Sequence, residues 1–469
     1  FDIALEEKLG DEFKKKIKSY SRVAEVPFNP KNKRNIVAVL NNGQYELITR
    51  GAPEVIVDFC PELNNENKKE INRWIRDEGR QGRRVLAIAK KELRSKNIDI
   101  EKNDHGYFFV GLISFVDLIK SSAYGAVQQA TALGVKIKIL TGDSKEVAGA
   151  VAHQIGLIKS PEEVITATEF ERMPDAKREK ALLKYAVFAR VSPEQKYFII
   201  KLLQEKYEVG FLGEGINDAP ALKIAGVSLV VDKAADIARE AADIVLLKKS
   251  LQVILDGIEE GRIVFANTSK YIIATLASNF GNFFAVAIAS LMIDFLPMLP
   301  LQILLVNLLS DFPMIAISTD TVDKKELKAP QKYNVKDIMI LAIVLGIVST
   351  IFDFIFFGLF FRISPGVLQT NWFIGSILTE LVFLFSIRGK GFFLKLKSPS
   401  AVLLVLTTVA FLATIILPYS ALGQAVFSFT RPSVYHLTLI LSVVAVYFIC
   451  TEMIKLIYYK NLSRLNVKS

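Results

Sequence analysis

Two glycine-bearing motifs in the first half of the chain follow short apolar runs. Thr141-Gly142-Asp143-Ser144 comes after Lys136–Leu140, and Gly213-Glu214-Gly215-Ile216-Asn217-Asp218 comes after Val209–Leu212. Apolar runs of this length that end in glycine and polar residues read as strands delivering ligand loops at the carboxyl edge of a parallel sheet. Thr141 and the amides of the turn at Gly142 and Asp143 can hold phosphate oxygens where a helix begins. Between the motifs, Arg190-Val191-Ser192-Pro193-Glu194-Gln195-Lys196 offers Lys196 as a point charge for a transferring group. Glu214 and Asp218 offer carboxylates for Mg²⁺, with Asn217 as a neutral donor. The chemistry these types share is phosphoryl transfer. A glycine-rich loop with solvated acids explains any one of them; their order, after successive strand–helix units, favours the phosphoryl reading.

The second half carries polar residues inside apolar runs, where an ionisable group costs several kcal/mol unless it faces protein or water. Ser278-Asn279-Phe280-Gly281-Asn282 places two amides one turn apart, with Gly281 permitting close approach or local unwinding. Asn307 and Asp311 share a helix face, and Pro297, Pro300 and Pro313 interrupt the hydrogen-bond ladder around them. A carboxylate, amides and free carbonyls suit a hard cation, Mg²⁺ or Ca²⁺. Interhelical hydrogen bonding is the plainer alternative. Asp353 and Glu380 either line a pathway or pair with a neighbouring helix.

The elements that must position these residues divide the chain. Residues 1–106 read as an antiparallel meander, Val23–Phe28, Arg34–Leu40 and Gln44–Arg50, with a hairpin turn at Asn41-Asn42-Gly43. A helix at about 67–80 and a strand at Val85–Lys90 follow. Phe28 could stack on a base, and Arg50 and Arg84 could contact phosphates; core packing explains Phe28 equally well. From 107 to 250, Phe109–Phe115, Ser122–Ala132, Lys136–Leu140, Val147–Ile155, Val164–Thr166, Val187–Ala189 and Val209–Leu212 alternate as strands and helices of a doubly wound parallel sheet.

Residues 251–469 hold six stretches approaching the roughly 20 apolar residues that cross a bilayer: 271–293, 297–317, 338–361, 371–387, 400–418 and 435–458. Lys324, Lys325, Lys328, Lys332 and Lys336, then Arg388, Lys390, Lys395 and Lys397, and finally Lys455, Lys460, Arg464 and Lys468 all fall on one side. That distribution puts the soluble half and the C-terminus in the cytoplasm; the expected location is the plasma membrane.

Composition agrees with this mixture: 51% of the 469 residues are hydrophobic and 23% charged. The net charge of +10 is not gathered into a basic stripe interleaved with aromatics, so nucleic acid is not an expected partner. Cys60 and Cys450 lie in different regions, and His105, His153 and His436 are far apart, which argues against a disulfide framework or a zinc site. The opening Phe1-Asp2-Ile3-Ala4-Leu5 reads as a cut into a longer protein.

These motifs together resemble the P-type cation-transporting ATPases. The run from Gly210 to Leu247 is similar to their hinge motif, and Ile139–Asp143 and Arg190–Lys196 to their phosphorylation-domain motifs. Arg50-Gly51-Ala52 stands where the family usually has Lys-Gly-Ala. Residues 277–282 and 295–313 look closest to the bacterial magnesium-transporting branch. The resemblance implies a partial α+β nucleotide-binding domain, a HAD-like phosphorylation domain and six transmembrane helices. It implies ATP at Phe28, Arg50 and Arg84, and a phosphoryl group among Thr141, Gly142, Asp143 and Lys196. It further implies catalytic Mg²⁺ at position 214 and Asp218, and a transported ion at Asn279, Asn282, Asn307 and Asp311.

Three departures accompany it. The family's phosphorylated aspartate motif, Asp-Lys-Thr-Gly-Thr, does not occur in this chain, nor do the actuator domain and first four membrane helices. Glu214 stands where the family has aspartate. The expectation is therefore a Mg²⁺ pump portion that needs an N-terminal half as its partner. The alternative is a catalytically inactive remnant or regulatory partner that binds nucleotide and membrane without transport.

Overall fold

The computed structural model describes residues 5, 7–8, 13, 16–17, 19–29, 32–93, 100 and 105–466; Phe1, Asp2, Ile3, Ala4 and Lys468 fall outside these. It separates into two compact units, Phe1–Ile254 and Leu255–Ser469.

In the first unit, β1 (Tyr20–Asn29), β2 (Arg34–Asn41), β3 (Gln44–Gly51), β4 (Arg83–Leu93) and β5 (Phe108–Val116) form one antiparallel sheet in that order. Asn42 and Gly43 both take positive φ, 48° and 83°, as a two-residue hairpin turn between right-twisted strands requires. Period-2 alternation buries Ile36, Ala38, Leu47, Ala87 and Ala89 on one face, where Ile56, Cys60 and Tyr107 complete the core. Helix α1 (Asn65–Arg80) starts where Asn64 accepts a hydrogen bond from the Asn67 amide at 2.8 Å. The sequence places Phe109–Phe115 at the head of the strand–helix series; instead it pairs antiparallel with β4 and closes the meander. Strand partnership is non-local, so the alternation of its residues could not reveal which sheet it joins.

Parallel units follow. After α2 (Ser122–Ala132), β6 (Ile139–Leu140), β7 (Val164–Thr166) and β8 (Val187–Ala189) form a parallel sheet in the order β6-β8-β7. A second parallel sheet, β9 (Gly210–Gly213), β10 (Val227–Val231) and β11 (Ile244–Leu246), has the order β11-β10-β9. The expected doubly wound arrangement is thus laid out as two three-stranded ladders. Helix α3 (Lys145–Gln154) follows β6, capped by Ser144; α4 (Pro193–Gln204) follows β8, opened by a reciprocal Ser192–Gln195 capping box.

The second unit contains helices long and apolar enough to cross a membrane: α5 (Leu251–Met292), α6 (Pro300–Ala316), α7 (Val335–Phe360), α8 (Pro365–Ile387), α9 (Ala401–Ile416) and α10 (Val434–Asn466). Pro300 begins α6, where its missing N–H costs nothing, and Pro313 is carried within the last turn and a half before a 3₁₀ turn. α5 is unbroken through Gly281. A Cβ there would lie 2.8 Å from Ser349 Cβ, so glycine serves close approach to α7, not unwinding. Of the alternatives the sequence leaves open, the structure takes the first.

α8 is the central helix: 89% of its most apolar stretch is buried within the protein, against 28–44% in the other five. Trp372, Phe373, Ile374 and Ile377 pack there against Phe356, Phe360 and Ile440. At one end of the bundle the connections are fastened by buried ions. Arg388 Nε donates to Asp320 Oδ2 at 2.6 Å, and the Ser400 amide donates to Asp320 Oδ1 at 2.8 Å. Lys455 pairs with Glu452 at 2.8 Å.

Candidate functional site

The strand-end motifs form one polar site in the first unit. Thr141 directly follows β6; its Oγ1 donates to Asp143 Oδ2 at 2.9 Å and accepts from the Asp143 amide at 3.1 Å. The loop after β8 is tied to it, since the Val191 amide donates to Thr141 O and the Arg190 amide to Asp143 O. Arg190 takes φ 55° to allow this. The same loop leads into α4, whose first turn carries Lys196.

Lys196 Nζ donates to Asp218 Oδ1 at 2.7 Å, joining the carboxyl ends of the two parallel sheets. Asp218 Oδ2 accepts from the amides of Glu214 at 3.1 Å and Gly215 at 3.3 Å. Burial raises the Asp218 carboxyl. The Lys196 ammonium and the two amides more than offset this, and the net displacement is downward. Asn217 stands exposed on the 3₁₀ turn Ile216–Asp218.

Glu214 does not join Asp218. Its carboxylate pairs with Lys249 at 2.8 Å, on the solvent side. The expected two-carboxylate Mg²⁺ arrangement is therefore not formed: the longer side chain reaches a lysine 35 positions on, while its backbone amide supports Asp218. Among the described residues, no three His, Cys, Asp or Glu side chains converge. A single carboxylate still fits Mg²⁺ chemistry, because that ion keeps several waters and takes its other ligands from substrate phosphates.

Phe28, Arg50 and Arg84 share the sheet face opposite the core. Arg50 lies opposite Ile88, and Arg84 is four residues before Ile88 on β4, so alternation puts both on that face. A register shift between Val26 and Asn29 turns Phe28 to it as well, where it is 62% exposed. Core packing, the other explanation for Phe28, does not hold. Arg50 Nε donates to Asn35 Oδ1 at 3.2 Å. Arg84 reaches from this sheet to the strand-end site, pairing with Asp143 at 3.0 Å and Asp117 at 2.8 Å.

The second unit holds a separate polar cluster. Glu380, on central helix α8, accepts at Oε1 from Ser278 Oγ at 2.5 Å and Asn282 Nδ2 at 2.8 Å. Ser310 and Asp311 of α6 neighbour the same carboxylate, whose Oε2 is buried without a hydrogen-bond partner. The Glu380 carboxylate and the Ser278 hydroxyl offer oxygens to a hard cation, and one carboxylate oxygen is still unsatisfied. Of the four residues the sequence nominates, only Asn282 bonds within the cluster; Asn279, Asn307 and Asp311 lie on exposed helix faces. Sequence reasoning left Glu380 open between a pathway and a helix pairing, and gave Ser278 no role. The signal for Glu380 was its charge inside an apolar run, but periodicity does not tell which neighbour a helix face meets.

Among the described residues, six helices long and apolar enough to cross a membrane, beside a sheet-containing unit with a strand-end polar site, define a multi-pass membrane protein. Known proteins agree. A family described as "P-type ATPase, cytoplasmic domain N" matches residues 3–122, and one described as "Cation transporting ATPase, C-terminus" matches residues 295–457. The chain is 35% identical over 461 residues to the magnesium-transporting ATPase, P-type 1, of Escherichia coli K12, and 34% identical to that of Salmonella typhimurium strain 14028s. Each alignment covers 94% of this chain and 51% of the relative. Calcium-transporting ATPase 1 of Bacillus cereus is 30% identical over 328 residues, 67% of this chain and 37% of that protein. The chain belongs to the P-type cation-transporting ATPases. It spans about half the length of the curated relatives it matches.

Proposed function

We propose that this chain is the nucleotide-handling and membrane portion of an ATP-driven pump that moves Mg²⁺ across the plasma membrane, with its soluble unit and C-terminus cytoplasmic. The observation that carries the reading is the Glu380 cluster, where a carboxylate, a hydroxyl and an amide converge on the most buried apolar helix. Similarity to magnesium-transporting ATPases supports Mg²⁺; the donor types alone serve Ca²⁺ equally.

ATP would lie on the face of Phe28, Arg50 and Arg84, within residues 1–106. Thr141, Gly142, Asp143 and Lys196 of residues 107–250 would surround the transferring phosphoryl group, with Asn217 at its rim. Catalytic Mg²⁺ at Asp218 would neutralise phosphate oxygens. Lys196, held by Asp218 until substrate arrives, is positioned to turn to the phosphoryl oxygens. In residues 251–469, Glu380, Ser278 and Asn282 would bind the cargo, with Asn279, Asn307 and Asp311 at the margin. The phosphorylated aspartate, the actuator domain and the first four helices would belong to the part of the relatives' length that this chain does not span.

The test is ATP-dependent Mg²⁺ uptake in vesicles containing this chain co-expressed with the N-terminal half of a magnesium-transporting relative. Absence of uptake, also with Glu214→Asp, rejects transport. The Glu214–Lys249 pair favours a second reading, a partner that binds nucleotide and membrane but does not turn over. Formation of an acyl phosphate in the co-expressed complex rejects that one.

A further inference from the structure

The loop that ends β9 carries two acids, and each is met by a lysine from a different element. Lys196 of α4 holds Asp218 at 2.7 Å in a pair largely shielded from solvent. Lys249 holds Glu214 from the connector between β11 and α5, and there the side chains are 59% and 51% exposed. The two grips also differ in form. Lys196 bonds one oxygen of Asp218, whereas Lys249 Nζ lies 2.8 Å from both oxygens of Glu214. Glu214 becomes available to a metal ion only when that ammonium leaves.

The backbone on either side of the pair is pinned. The Glu214 amide donates to Asp218 Oδ2 at 3.1 Å, and its carbonyl accepts from the Ala235 amide at 3.3 Å. A Cβ added at Gly213 would lie 2.8 Å from Asp218 Cβ, so the chain entering Glu214 is held against Asp218. Lys249 O in turn accepts from Lys120 Nζ at 2.5 Å. What remains free is rotation of the Glu214 side chain. Turned outward, its carboxylate meets Lys249. Turned back along the loop, it returns toward Asp218. The two positions exclude each other.

We infer that Lys249 is a positioning residue of the strand-end site, an internal cation that competes with Mg²⁺ for Glu214 and so sets the affinity of the site for the metal. With the ammonium in place, Asp218 alone offers a carboxylate. With it displaced, Glu214 supplies a second, and affinity for a hard cation rises with the charge of its ligands. No covalent bond changes; one ion pair is exchanged for another. Because the Lys249 pair faces solvent, it is weak, and the competition lowers metal affinity about two- to fivefold without closing the site. This rests on the reading of Asp218 as the seat of catalytic Mg²⁺.

A Mg²⁺ titration of the whole chain in lipid nanodiscs, followed by a ¹⁹F label at Ile216→Cys, reads the competition. Ile216 is an exposed residue of the loop, so the label reports the strand end and not the membrane unit. Asp218→Asn identifies which part of the signal is metal at that site. Lys249→Met is expected to tighten Asp218-dependent binding about two- to fivefold, and Lys249→Arg to leave it at the parent value. Glu214→Gln alone should change little, because its carboxylate is already engaged; combined with Lys249→Met it should cancel the gain. That cancellation also locates the signal at the strand end if Asp218→Asn fails to fold. A gain that survives Glu214→Gln means that Lys249 acts on the metal through space, and overturns the competition. Asp218-dependent binding that Lys249→Met leaves unchanged overturns it as well, with the metal reading of Asp218 intact. No Asp218-dependent binding in any variant overturns both.

Discussion

Arg84 and Asp143, 59 positions apart, are joined by a 3.0 Å ion pair that ties the antiparallel sheet to the strand-end site. The same guanidinium meets Asp117 at 2.8 Å. An arginine on the face that carries Phe28 and Arg50 thus already reaches the loop expected to hold phosphate. A triphosphate entering there would meet a guanidinium preset by two carboxylates, and would compete with them for it.

Arg84→Ala is accordingly expected to weaken ATP binding roughly tenfold, one lost charge-assisted contact of about 1.4 kcal/mol. Stability should change by less than about 1 kcal/mol, because the pair is solvent-exposed. Fluorescent-nucleotide titration and thermal unfolding of the same sample check both. An unchanged affinity removes Arg84 from the nucleotide site.

Lys196 and Asp218 make a different prediction, since their side chains are only 18% and 14% exposed. Lys196→Met leaves Asp218 without its ammonium and should cost about 2 kcal/mol. The Asp218 carboxyl lies below its usual range in the fold, so the folded state binds its proton less readily than the unfolded chain. Its contribution is therefore complete above the unfolded value of about 3.9 and is lost as pH falls through the folded one. Unfolding of Asp218→Asn followed from neutral to acid pH should lack that part of the acid-induced loss. A parallel pH profile for parent and variant rejects the assignment.

How far these sites could be read from sequence follows from how local each is. Thr141 and Asp143 bond across two positions, and the Asn42-Gly43 turn is decided by its own backbone preferences, so both were legible. The apolar lengths of the six helices were legible for the same reason. Glu214 pairing with Lys249, and Phe108–Val116 pairing with β4, depend on what folding brings alongside. Arg388 and Lys455 read as orienting loop charges, yet their side chains are 5% and 2% exposed and locked in ion pairs. Local composition cannot distinguish a lysine in water from one packed beneath a loop.

Arg388→Met should destabilise the membrane unit by about 3–5 kcal/mol, the cost of leaving one partner of a buried pair uncompensated. Asp320 accepts from Arg388 and from the Ser400 amide, so its charge has nowhere else to go. Adding Asp320→Asn removes that charge and should recover at least half of the loss. Thermal unfolding in detergent, single against double variant, reads the difference. Equal losses in the two would mean that packing of the arginine stem, not charge, holds this end of the bundle.

The cation cluster yields a graded prediction because its members differ in placement. Glu380→Gln removes the carboxylate charge at the centre and should abolish measurable Mg²⁺ binding by calorimetry in nanodiscs. Asn282→Ala keeps that charge but deletes a hydrogen bond that orients it, the kind of supporting contact whose loss costs roughly 10- to 100-fold in metal affinity. Asn307→Ala removes a side chain on an exposed helix face, so the effect in this chain should stay within about 0.5 kcal/mol, roughly twofold. The order Glu380, Asn282, Asn307 tests geometry against motif. Reading the motif alone makes Asn282 and Asn307 equivalent, whereas the structure puts one against Glu380 and the other outside. An Asn307 variant as damaging as the Asn282 variant would place the ion on α6, away from the central helix.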